Sequence, residues 1–270
     1  SNETWNTAFD HWGWLNSRAV NERGETSGAA INEYHAKKAT ETALLWNTVY
    51  AGQPSSRLKH VMGTQASNTF PSLRRLLAEK WQTNEPDDFV DPRTLFHELA
   101  VTTYFGTNAV SDETYRQDLI DAINDPLVDA GDFLTAELRD VNYTSSIPFI
   151  DAKLAAQKVI ADAYGMKLVA YEGGQHVHHT FAVSGLSQAD RDALNAFMPA
   201  YVRSDNMGQL YRDIWAVWLK HGDGPFMNYG DVGTPNDFGS WALYSYIGDA
   251  TPRSDALEAL NAATAPWWLS

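Results

Sequence analysis

The sequence predicts an α/β fold built on a parallel sheet, and three observations lead there. Short apolar runs of strand length alternate with helical patterns along the whole chain. The stretches joining those runs are far too long for hairpins, so neighbouring strands must be connected by crossovers. Polar residues collect at the C-terminal ends of the runs, Glu3, Gln65, Tyr104, Glu172 and Asp231, which is where parallel sheets bind ligands.

The elements follow in order. A first strand is expected to end at Asn2, and the stretch that follows, rich in Trp, Asn and Gly over 7–28, reads as an ordered loop displaying Trp5, Trp12 and Trp14. From Ala29 to about Tyr50, Ile31, Tyr34, Ala39, Ala43, Leu44, Trp46 and Val49 recur at helical spacing, with Gly52 and Pro54 as the stop. Leu58 to Gly63 reads as a strand, Ser72 to Trp81 as a helix, and Leu95 to Phe105 as the next strand. Helical stretches follow at about 112–124, at about 129–140 and from Ile150 to Tyr164, where Gly165 stops the last. Lys167 to Tyr171 forms a strand, and a loop runs from Gly174 to Gly185. Ser187, with Asp190 three residues on, caps a helix to about Tyr201. A helix over Met207–His221, a strand over Phe226–Tyr229 and closing segments at Trp241–Ile247 and Asp255–Ala263 complete a five-strand reading.

Composition narrows the function. In 270 residues no linker, repeat or low-complexity tract divides the chain, so a single domain over 1–270 is expected. Lys and Arg number 20 against 34 Asp and Glu, a formal charge of -14 with no basic run, which opposes a nucleic-acid partner. Cysteine is absent, removing disulfides, thiolate metal sites and cysteine nucleophiles together. No run of about 18 apolar residues exists, so no membrane helix is expected. Ten tryptophans and twelve tyrosines suit a sugar-binding cleft with flat aromatic faces, although large cores use them too.

The chemistry centres on Lys167-Leu168-Val169-Ala170-Tyr171-Glu172-Gly173-Gly174-Gln175-His176, where a buried strand delivers a carboxylate to the rim of the sheet. Its partner is Asn2-Glu3. This pair, in this order, resembles the signature of the clan A retaining glycoside hydrolases, built on (β/α)8 barrels. In that clan an Asn-Glu dipeptide ends the fourth strand, its Glu being the acid/base, and a second Glu ending the seventh is the nucleophile. The resemblance covers nearly the whole chain as strands four to eight of such a TIM barrel. It implies Glu3 as acid/base, Glu172 as nucleophile, Asn2 on the sugar 2-hydroxyl, Tyr104 beside the nucleophile and Trp241 as an aromatic platform. Trp5 and His176 are further substrate-binding candidates.

Strands one to three of the clan pattern have no counterpart. The chain is therefore expected to be the C-terminal part of a longer protein, inactive as it stands, from a secreted or cell-surface bacterial setting. One carboxylic acid would protonate the departing oxygen while the other attacks the anomeric carbon, and water then hydrolyses the glycosyl-enzyme. A carboxylate spacing of about 5 to 5.5 Å gives retention, and about 6.5 to 9.5 Å inversion. The substrate class is a carbohydrate chain, β-linked as in most of the clan, and no cofactor is expected. His176-Val177-His178-His179 invites a metal reading, but no acidic or cysteine ligand completes a set, so no metal is expected. Asp231 suits a solvated loop, and Trp215, Trp218, Trp267 and Trp268 suit core positions. The rivals are a carbohydrate-binding barrel of the same ancestry that does not cleave, and a metal-dependent hydrolase using the histidine cluster.

Overall fold

The computed structural model describes residues 3–7, 9–24 and 27–266. The class is α/β: those residues hold eleven α-helices and one three-stranded sheet in the order β1 (Val61–Gly63), β2 (Glu98–Phe105), β3 (Lys167–Gln175). β1 is parallel to β2, with Val61 opposite Glu98 and Gly63 opposite Ala100. Lys167 N–H donates to His97 O at 3.0 Å and His176 N–H to Phe105 O at 2.8 Å, so β3 advances in step with β2. Chain contacts separate two compact units, with β2 divided after Thr102 and β3 after Tyr171.

The first unit holds residues up to Thr102, together with Lys153–Tyr171 and Gly222–Gly224. Residues expected to be a loop form α1 (Asp10–Arg23), which ends at Gly24 in the left-handed conformation. Polar composition suggested the loop. Packing decides otherwise, because Leu15 and Ala19, one helical turn apart, bury against Ala30 and Tyr34 of α2 (Gly28–Val49). Ser27 caps α2, accepting from Ala30 N–H at 3.3 Å.

The single helix expected over Ser72–Trp81 is two, α3 (Thr69–Leu77) and α4 (Glu79–Asn84), broken at Ala78 with φ 46°. Fully buried Glu33 holds the break, accepting from Lys80 N–H at 2.6 Å and Trp81 N–H at 3.2 Å. Trp81 thereby reaches the cluster of Ala36 and Ala78. Buried Gln157 fastens the loop after β1: it donates to the carbonyls of Gln65, Ala66 and Asn68 and accepts from Ser72 Oγ at 2.8 Å.

The second unit holds Thr103–Ala152, Glu172–His221 and the residues from Pro225. Its helices are α5 (Asn108–Ser111), α6 (Glu113–Asn124), α7 (Ala130–Glu137), the first residues of α8 (Ile147–Ala163), α9 (Gln188–Tyr201), α10 (Asp205–His221) and α11 (Pro252–Ala263). Leu194, Met198, Leu210, Tyr211, Ile214 and Trp218 are buried, so Trp218 is a core residue as expected, while Trp215 is half-buried. The Ser187 cap is present, with Asp190 N–H at 3.1 Å. Arg203 and Asp249 form a bidentate pair at 2.6 and 2.7 Å, which holds the Asp249 carboxyl far below the usual range.

Two strand expectations are corrected. β3 does not stop at Tyr171 but continues through Glu172, Gly173 and Gly174 to Gln175, because the glycines let it stay close to β2. Phe226–Tyr229 is not a strand: Phe226 is only a bridge residue, although Tyr229 N–H donates to Gly173 O at 2.9 Å. In the first unit Asp223 N–H likewise donates to Leu168 O at 2.8 Å. Between these two bonds stands Pro225, which has no N–H to give, so the ladder is interrupted. The strand expected before Glu3 falls on Ser1 and Asn2, outside the described residues, as do Trp267 and Trp268.

Candidate active site

Glu172 sits within β3, one residue before the point where Gly173 passes β2. A Cβ built on Gly173 would lie 1.7 Å from Thr103 Oγ1 and 2.9 Å from Thr103 Cβ. Glycine is therefore needed here for close approach rather than for a turn. Gly174 has φ 110°, and its Cβ would meet Asn228 Oδ1 at 2.6 Å and the Tyr211 hydroxyl at 2.8 Å. The two glycines thus fix the backbone that carries Glu172.

Around that carboxylate the second unit gathers aromatic rings. Tyr104, near the end of β2, donates its hydroxyl to Glu172 Oε1 at 3.2 Å. The Tyr104 ring lies 5.6 Å from His176 and 6.2 Å, edge-on, from Tyr229. Trp241 closes the group, 5.2 Å from His176 and 5.9 Å from Tyr229 in a near-perpendicular arrangement. Glu172, Tyr104, His176 and Trp241 are all half-buried, and Tyr229 is exposed. The sequence candidates Tyr104, Glu172, His176 and Trp241 thus occur in one linked cluster, Glu172 through its bond to Tyr104 and the others through ring contacts. Tyr229 was not among the candidates, although it ends the last apolar run much as Tyr104 nearly ends β2.

His176 is the unusual member. Nδ1 is 3.4 Å from Thr107 Oγ1, while Nε2 is buried with no hydrogen-bond partner among the described residues. Burial, and then the neighbouring His179, push its pKa down to about 4, so the ring is neutral at physiological pH. A neutral imidazole with one unpaired nitrogen can take one hydrogen bond from a bound molecule. The other two histidines are occupied by the protein. His178 Nε2 donates to Asn195 Oδ1 at 3.1 Å and Nδ1 meets Ser240 Oγ at 2.7 Å, while His179 Nδ1 donates to Phe238 O at 2.6 Å. Among the described residues no group of three or more His, Cys, Asp or Glu is placed to hold a metal ion.

Glu3 belongs to the first unit and is half-buried in a turn. Oε2 accepts from Asn6 Nδ2 at 2.9 Å, Oε1 from the Tyr171 hydroxyl at 3.5 Å, and its carbonyl from His11 Nε2 at 2.8 Å. The turn is anchored by Arg75, a buried cation that the sequence reading missed. Its guanidinium donates to Thr4 Oγ1 at 2.7 Å, Asn32 Oδ1 at 2.9 Å and the Gly63 carbonyl, and lies 5.2 Å over the Trp5 ring. Trp5 is therefore stacked on Arg75. Burial lowers the Arg75 pKa to about 9, which leaves it charged at neutral pH. The only sequence signal for this role was an arginine on the apolar side of a short helix. Asn2 lies outside the described residues. Asp231 is exposed.

No family model, curated protein or solved structure matches the chain.

Proposed function

We propose that the protein is a retaining glycoside hydrolase of the clan A kind, with Glu172 as nucleophile and Glu3 as acid/base. The observation that carries this reading is the carboxylate of Glu172. It is tethered by the Tyr104 hydroxyl within a cluster of Tyr229, Trp241 and a neutral His176 whose Nε2 has no partner. Aromatic faces beside one unpaired polar atom suit a sugar ring, whose C–H face stacks while its hydroxyls take hydrogen bonds. A strand order that follows chain order, β1-β2-β3, with the Asp223–Tyr229 segment bonded to β3, supports a (β/α)8-type barrel as the parent architecture.

In this reading the Tyr104 hydroxyl positions Glu172 through Oε1, and the Glu172 carboxylate attacks the anomeric carbon. Glu3 donates its proton to the leaving oxygen. The glycosyl-Glu172 ester is then hydrolysed by water that Glu3 deprotonates. Trp241 and Tyr229 present ring faces and edges to the sugar, and His176 Nε2 meets a hydroxyl.

The test is hydrolysis by the protein expressed from its whole reading frame. Wild type should release reducing ends from a β-linked glucan, xylan or mannan, and Glu172→Gln should lose at least about a thousandfold in kcat while still binding the polysaccharide. Binding with no release by wild type would replace this reading with a carbohydrate-binding role.

A further inference from the structure

The first unit contains a cavity of about 670 Å3 between α2 and the edge strand β1, within the size range of small-molecule sites. Trp46 of α2, Tyr50 just beyond its end and Phe96, two residues before β2, give it flat apolar walls. His60, Val61 and Lys59 line the β1 side. Among the described residues no aspartate or glutamate contributes to the lining, although the chain as a whole carries a formal charge of -14. The cations are Lys59, which is exposed, and Lys38, which is already engaged by Glu41 at 2.8 Å.

The decisive feature is His35. It lies on α2, lines the cavity and is only 8% exposed. Neither ring nitrogen has a hydrogen-bond partner among the described residues, whereas His60 on the same wall is satisfied by Asn47 Oδ1 at 2.8 Å. Burial also keeps its pKa well below the usual value, so the ring is neutral and has both a donor and an acceptor to offer.

We propose that this cavity binds a small aromatic carboxylate, its ring between the Trp46, Tyr50 and Phe96 side chains, a ring hydroxyl on His35 and its carboxylate toward Lys59. The site is independent of Glu172 and does not rest on the glycosidase reading.

Titration calorimetry with 4-hydroxycinnamate, and with 4-hydroxycinnamyl alcohol as the uncharged control, tests it. The acid should bind one-to-one with a Kd below about 1 mM and the alcohol several-fold more weakly. His35→Leu should weaken the acid about tenfold, and Lys59→Gln should weaken the acid but not the alcohol. Lys59 is exposed, so its variant keeps the test decisive should H35L fail to fold. No saturable binding to about 10 mM would overturn the proposal. So would acid binding that neither variant changes. Sedimentation showing a dimer that buries the β1 edge, with no acid binding, would also overturn it.

Discussion

Replacing Gly173 by alanine tests how β3 presents Glu172. The added Cβ would lie 1.7 Å from Thr103 Oγ1, 2.9 Å from Thr103 Cβ and 3.1 Å from Thr103 N. Thr103 is fully buried and β-branched, so it has few rotamers to escape into, and the backbone contact cannot be relieved by a rotamer at all. Overpacking of this kind costs about 1–3 kcal/mol, and the backbone involvement puts G173A at about 3 kcal/mol. Thr103→Ala removes the worst contact. Alone it should change stability by no more than about 1 kcal/mol, since the hydroxyl it deletes has no hydrogen-bond partner. In the double variant about half of the G173A loss should return, a coupling of at least about 1 kcal/mol. Urea unfolding of the four proteins, followed by tryptophan fluorescence, measures this. G173A within about 0.5 kcal/mol of wild type, or strictly additive losses, would refute the close-approach reasoning.

Three further outcomes rest on the same geometry. His176 in the folded protein has its pKa held near 4 against an ordinary 6.5, so between those values the unfolded chain binds more protons. Its contribution to stability is complete above pH 6.5 and shrinks as pH falls toward 4, by about 2–3 kcal/mol after allowing for partial exposure. His176→Phe should lose correspondingly less on going from pH 7 to about pH 4.5, and equal losses in urea titrations would contradict this. Glu33→Ala strands Lys80 and Trp81 N–H at the start of α4 and removes the 3.4 Å pairing with Arg74. A loss of about 3 kcal/mol is expected in thermal unfolding, and a shift smaller than about 1 kcal/mol would oppose the role given to Glu33. Tyr104→Phe should lower kcat about tenfold with little change in KM, since it removes one hydroxyl bond to Glu172; an unchanged kcat would detach Tyr104 from the chemistry.

Much of the fold was legible because periodicity and punctuation agree. Ser187 and Gly165 stand at helix boundaries, and the apolar runs Leu99-Ala100-Val101 and Leu168-Val169-Ala170 lie in β2 and β3. Apart from the Phe226–Tyr229 strand, which Pro225 interrupts locally, the misses have a common cause, since they were decided by partners distant in sequence. α1 exists because Leu15 and Ala19 meet Ala30 and Tyr34, and α3 ends early because Glu33 caps the start of α4. The continuation of β3 past Glu172 depends on Thr103, some seventy positions away, so Glu-Gly-Gly read locally as a strand end. At the candidate site, Tyr104 and Trp241 could be named through the resemblance to the clan, and His176 because it lies just beyond Glu172. Arg75 could not, since its place beside the leucines of a nine-residue helix does not say that this one of the two arginines turns inward to hold Thr4 and Trp5.

The most direct measurement of the proposed chemistry is covalent labelling of Glu172. The protein expressed from its whole reading frame would be incubated with 2,4-dinitrophenyl 2-deoxy-2-fluoro-β-glycosides of glucose, xylose, mannose and cellobiose, then digested and mapped by mass spectrometry. The account predicts one fluoroglycosyl adduct, on the peptide containing Glu172, with dinitrophenolate released in equal amount and no adduct in Glu172→Gln. An adduct on another carboxylate, or hydrolysis of a natural substrate with inversion at the anomeric carbon, would contradict it.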